Sequence, residues 1–216
     1  MIEIKHRESG DVLRTVAADT LVGQYLDGAD LEGANLSGLN LTGADFQSAN
    51  LKNADLSGAR LERANFHSAV LSGANLEKAN LTRANLTDAI LIGARCVSAN
   101  FTNAIARYSR ATNADFTDST MHSLDMSMAD ARANFTRAVM TKIDLRGSDL
   151  SGANFEDADL TGANMHDAKM MDANLNGARM AGAISALGHR FGERGRAATM
   201  AAQKRAASRP WWQFWG

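Results

Sequence analysis

The sequence predicts an all-β solenoid, and three observations predict it. Large apolar residues recur every five positions, at 21, 26, 31, 36 and 41 and onward to Leu91. A small residue, usually alanine, stands two places before each, usually with Asn or Asp between, as in Ala29-Asp30-Leu31-Glu32-Gly33 and Ala34-Asn35-Leu36-Ser37-Gly38. Finally, a period of five suits neither ordinary element. A helix turning ~100° per residue would scatter the apolar residues around its surface, and a flat strand would flip them between faces. A winding polygon accommodates them. Each unit is then one side, with the large residue and its small partner pointing inward and the other three outward.

Composition agrees with this and excludes much else. The chain has 216 residues with one proline (Pro210), one cysteine (Cys96) and 6% aromatics. A single cysteine excludes a disulfide scaffold and a multi-thiolate metal site. A net charge of −1 excludes a uniformly basic nucleic-acid binder. No run approaches ~18 apolar residues, so no spanning helix is expected. Residues 1–10 are charged and lack the apolar core of a secretory signal, which predicts the cytoplasm.

Three segments follow from the pattern. In residues 1–18, Ile2-Glu3-Ile4-Lys5 and Val12-Leu13-Arg14-Thr15-Val16 read as two short strands around Glu8-Ser9-Gly10, forming an N-terminal cap over the first coil. Residues 19–183 hold the repeat, about 33 units over roughly three quarters of the chain. Its phase runs through Cys96, Phe101, Phe116, Met121 and Met126, then slips by one residue and resumes at Phe135, Met140, Leu145, Leu150 and on to Met180. Cys96 occupies a leucine slot and reads as a buried small hydrophobe. Residues 184–216 form the tail: a glycine-bearing loop, a helix expected over 196–208, Pro210, then Trp211, Trp212, Phe214 and Trp215.

The repeated A(D/N)LXX unit resembles that of the pentapeptide-repeat proteins, over about residues 19 to 183. The resemblance implies a right-handed quadrilateral β-helix with four units to a coil, about eight coils here, and a rod about 40 Å long at strand spacing. Residues twenty apart should then stack: Phe46 on Phe66, and Phe116, Phe135 and Phe155 across the slip. The resemblance also implies function. Some members bind DNA gyrase or topoisomerase IV, resemble DNA in width and charge, protect against topoisomerase poisons, and dimerise through a C-terminal helical module.

No catalytic, cofactor-binding or metal-binding arrangement emerges. His67, His122 and His166 each follow an inward residue and face out, and the carboxylates mostly occupy the Asn/Asp slot of the repeat, where solvation and ladder bonding explain them. The serines and threonines are placed at turns. The chain therefore reads as a non-enzymatic binding surface, with no small-molecule substrate and no direct nucleic-acid contact.

Candidate contacts lie where the pattern breaks. Between 105 and 133 the inward slots shrink to Ala106, Ala111 and Ala131, and Leu124 replaces the usual small partner. This is either a narrowed coil or a recognition patch, with Arg107, Tyr108 and Arg110 facing outward and Thr120, His122, Ser123 and Asp125 near by. Residues 111–183 carry a net charge of −5 and the tail +5. Asp144, Asp149, Asp157 and Asp159 are the candidate DNA-mimicking carboxylates. For Arg205, Arg209, Trp211, Trp212, Phe214 and Trp215 three roles stand open: a cap over the last coil, a dimer contact, or an anchor to a membrane surface.

Overall fold

A five-residue side closes through a tight turn. The N–H of each small inward residue donates to the carbonyl of the large residue three before it, Ala29 to Leu26 at 3.2 Å and Ala54 to Leu51 at 3.0 Å. The residue between turn and small partner takes a positive φ, as the third position of a type II turn requires. Gly28 sits at 59° there, but among the described residues nineteen such positive-φ residues are not glycine, Arg63 at 60° and Lys78 at 58° among them. The left-handed conformation costs a side-chain-bearing residue ~1–2 kcal/mol, so the lattice imposes it.

The Asn/Asp slot has its own reason. Its Oδ1 accepts from the N–H two residues on, as Asn35 does from Ser37 at 3.3 Å and Asn65 from His67 at 3.2 Å. This is the local bonding that favours these residues at turns. Its amide can also reach the preceding coil, as Asn85 Nδ2 reaches Asn65 Oδ1 at 3.0 Å.

The computed structural model describes residues 1–192. Parallel bridges join positions twenty apart, from Tyr25–Asp45 through Arg110–Asp130, so four sides make one coil. Each side gives three ladder bonds to its neighbours, for example Leu26 N to Asp45 O (2.7 Å), Gly28 N to Gln47 O (2.8 Å) and Asp45 N to Gln24 O (2.9 Å). The ladder thus satisfies the backbone polar groups of the sides although, among the described residues, only two conventional strands exist. The offset drops to nineteen at Asp115–Asn134 and returns to twenty at Asn134–Asn154. The slip therefore falls within one corner: Ala131 and Ala133 are both buried, with Arg132 alone between them.

The core is a single column of side chains. Phe46 and Phe66 stack at 5.0 Å between ring centroids, Phe116 and Phe135 at 5.2 Å, and Phe135 and Phe155 at 5.0 Å, all within 5° of parallel. Phe101 meets Phe116 edge-on across a corner at 5.6 Å. Where inward slots shrink, volume is supplied elsewhere: Leu124 and Ile143 are buried in slots that normally hold alanine. One expectation needs correction. Ser109, Ser119 and Ser148 are not at turns but fully buried in the small slot. Ser109 and Ser148 fit because their hydroxyls donate to the carbonyls of Ala106 and Leu145, at 2.7 and 2.6 Å. Cys96 is fully buried, and burial, aided by Asp115, pushes its thiol far above the ordinary range. It is therefore an inert core residue.

At the N-terminal end, β1 (Ile2–Lys5) pairs antiparallel with β2 (Val12–Val16). The hairpin is bonded to the first coil through Arg7 N to Gly33 O (2.9 Å) and Asn35 N to Lys5 O (2.8 Å), and Ile4 and Val16 enter the core. At the other end Ile184 closes the ladder against Asn164, then the chain reverses and pairs antiparallel at Arg190. The expected helix over 196–208 and Arg205, Arg209, Trp211, Trp212, Phe214 and Trp215 lie outside the described residues.

Candidate functional site

The corner between the first and second sides of the coil is mostly small or polar: Gly28, Ser48, Ser68 and Asp88 occupy it in successive coils. Tyr108 and Met128 follow, at φ 58° and 59° and each 56% exposed. The lattice imposes this backbone at every such corner, so what sets these two apart is exposed apolar bulk where the column otherwise holds small or polar residues. The two positions are held together, because Tyr108 N donates to Ser127 O at 3.2 Å. Ile105, on the same side as Tyr108, is 43% exposed.

Charged groups border this corner. Arg107 bonds Asp125 across the coil gap at 2.6 Å. Burial alone would raise the Asp125 pKa, but the Ser127 and Arg107 bonds outweigh it and hold the carboxyl below its usual range. Arg110 is exposed on the next side, where its backbone pairs with that of Asp130 in the ladder. Below Met128 a depression is lined by Ser127, Arg146, Gly147, His166 and Asp167. Gly147 leaves room there, since a Cβ at that position would meet the Met128 sulfur. Of the residues expected near the patch, Asp125 is brought to Arg107. Thr120 and His122 belong to the preceding side, His122 bonding Thr141 at 2.7 Å, and Ser123 lies at that side's corner.

The shortened corner opens a second depression, lined by Asn113, Asp115, Arg132, Asn134, Gly152 and Asn154. Arg132 is held by two bonds to Asp130, at 2.7 and 2.8 Å, and also lies 3.4 Å from Thr112 Oγ1. The Arg132 bond is the main cause holding the Asp130 carboxyl below its ordinary range.

The four candidate aspartates do not form a stripe. Asp144 and Asp149 belong to the first and second sides, Asp157 to the corner after the third and Asp159 to the fourth. Three of them are paired: Asp144 with Arg146 (2.7 Å), Asp159 with Arg179 (2.7 Å) and, more loosely, Asp149 with Lys169 (3.9 Å). Such partly exposed pairs add little stability, yet each pair leaves little net field. Among the described residues of the C-terminal half, Glu156, Asp157 and Asp172 have no basic partner within ion-pair distance, and neither does Asp115. Met128 and Ile105 were missed in the sequence. The available signal was a large apolar residue in an outward slot, Met128 at a corner and Ile105 in the position usually held by Asn or Asp.

The family described as Pentapeptide repeats (8 copies) matches residues 25–63, 59–95, 94–130, 131–167 and 148–184. The chain belongs to the pentapeptide-repeat family. HetL of the cyanobacterium Nostoc sp. strain PCC 7120, a pentapeptide-repeat protein involved in heterocyst differentiation regulation, shares 29% identity at a TM-score of 0.50, over 79% of this chain and 88% of its own. QnrB1, a plasmid-mediated fluoroquinolone resistance protein, shares 19% identity at a TM-score of 0.46, over 87% and 96%. No curated protein matches the sequence. In this pentapeptide-repeat protein the regular sides explain themselves as lattice. The Tyr108–Met128 corner and the shortened corner are departures from it.

Proposed function

We propose that the chain is a non-catalytic interaction scaffold, a right-handed four-sided β-helix that presents the Tyr108–Met128 corner to a protein partner. The observation that carries the reading is the pair of large, exposed side chains, Tyr108 and Met128, at adjacent coils of a corner column otherwise held by small or polar residues. Tyr and Arg are favoured at interface centres, and Arg107 and Arg110 flank this pair. A photo-crosslinking residue at position 108 should capture a discrete partner in the source cell. Tyr108→Ala combined with Met128→Ser should weaken that partner's binding by ~30-fold, the loss of ~2 kcal/mol typical of a hot spot. Unchanged affinity in the double variant rejects the corner as the contact.

In its more specific form, the partner is DNA gyrase or topoisomerase IV, with the rod standing in for DNA and conferring resistance to topoisomerase poisons. Its support is the net −5 of residues 111–183 and the unpaired carboxylates of Glu156, Asp157 and Asp172. Micromolar protein should then inhibit gyrase supercoiling, and the triple variant Glu156→Gln, Asp157→Asn, Asp172→Asn should inhibit less. Absence of inhibition by the unaltered protein refutes this form alone.

A further inference from the structure

Among the described residues, the C-terminal end of the rod closes over its core less completely than the opposite end. Met165, Met170 and Met180 are the inward residues of three sides of the last coil; under the returning segment through Phe191, Met165 and Met180 are buried and Met170 is left half-buried. Between them lies an apolar pocket of about 290 Å³, roofed in part by Leu187. Leu187 is 81% exposed, an unusual state for leucine bordering a core. The end is unlike the opposite one, where β1 and β2 place Ile4 and Val16 over the first coil. Methionine thioethers are adaptable packing partners for aromatic rings.

We propose that this pocket receives the aromatic segment of the same chain, residues 211–215, with an indole seated among Met165, Met170, Met180 and Leu187. Three observations choose this occupant. The segment holds all three tryptophans of the protein and a phenylalanine, and it follows only nineteen residues after Gly192. That tether has a maximum reach of ~65 Å, and a short tether raises the local concentration of its end to the millimolar range. The intervening stretch carries Arg194, Arg196, Lys204, Arg205 and Arg209 against one Glu193. The last two coils offer the unpaired Asp172, Asp157 and Glu156. Charge therefore draws the segment towards this end, and apolar burial holds it.

Tryptophan fluorescence tests the inference directly, because every tryptophan lies in the segment. The full chain should emit at shorter wavelength than a peptide of residues 209–216, and acrylamide should quench it several-fold less. Leu187→Glu alters an exposed side chain and should leave the circular dichroism of the coils unchanged. It should nevertheless shift the emission towards that of the peptide. The wild-type emission should not change with protein concentration, nor on addition of anionic vesicles. Peptide-like emission in the full chain, or no shift in Leu187→Glu, overturns the proposal. A blue shift that grows with concentration assigns the pocket to a second copy instead, and one that appears only with vesicles assigns the segment to a membrane surface.

Discussion

Replacing Phe135 by alanine removes a fully buried ring stacked between Phe116 at 5.2 Å and Phe155 at 5.0 Å. Truncating a buried phenylalanine to alanine costs ~3–5 kcal/mol, because the cavity collapses only in part. Each aromatic contact contributes ~0.5–1.5 kcal/mol beyond area burial. Phe46 provides the control, since it is equally buried but has one stacked ring, Phe66 at 5.0 Å. Phe135→Ala should therefore cost ~4–5 kcal/mol and Phe46→Ala ~1 kcal/mol less. At the sensitivity expected for a chain of this size, the larger loss lowers the melting temperature by ~8–20 °C. Urea and thermal unfolding should be followed by far-ultraviolet circular dichroism, because the three tryptophans at 211, 212 and 215 lie outside the repeat. Equal costs for the two variants, or a loss below ~2 kcal/mol for Phe135→Ala, would refute the claim that stacked rings tie successive coils together.

Two further perturbations test the surface and the N-terminal end. Hydrogen bonds and ion pairs hold Asp118, Asp130 and Asp149 below the ordinary carboxyl range, through Arg137, Arg132 and Ser151 respectively. Their folded pKa values lie below their unfolded ones, so the stability they add is present above about pH 4 and lost as pH falls further. Urea midpoints measured from pH 7 down to pH 3 should fall in the acid limb, and Asp130→Asn should flatten that fall; an unchanged slope contradicts the assignment. At Gly33, φ is 65° and an added Cβ would run into the His6 ring. Gly33→Ala should therefore loosen the hairpin, seen as faster hydrogen exchange at the Arg7 and Asn35 amides, and equal protection in the variant would show that the ring moves aside at no cost.

The repeat was legible because every side obeys one rule: the small partner, the polar Asx and the large inward residue each meet a separate physical need. Phe46, Phe66 and the three rings across the slip could be paired from their spacing once the family resemblance supplied four units to a coil. The extent of β1 and β2 followed from alternation and an intervening glycine. Pairings between outward side chains were not legible. The Arg107–Asp125 and Arg179–Asp159 contacts depend on how long side chains lean across the coil gap, as well as on which corner they occupy. The buried serines were hidden because Ser109 is acceptable inside only once the Ala106 carbonyl is known to lie within reach. The pocket at the C-terminal end was invisible for a similar reason. A methionine in a repeat slot looks alike whether the next coil covers it or no coil follows.

The shortened corner at 131–133 behaves as a dislocation does in a crystal. One lattice point is absent, yet the rows on either side rejoin within a single coil, from an offset of twenty through nineteen and back to twenty. A defect that heals so quickly does not propagate along the rod. Columns of outward side chains therefore continue straight through it in space while their sequence numbering shifts by one. A partner lying along the rod would contact residues of both registers in one unbroken row.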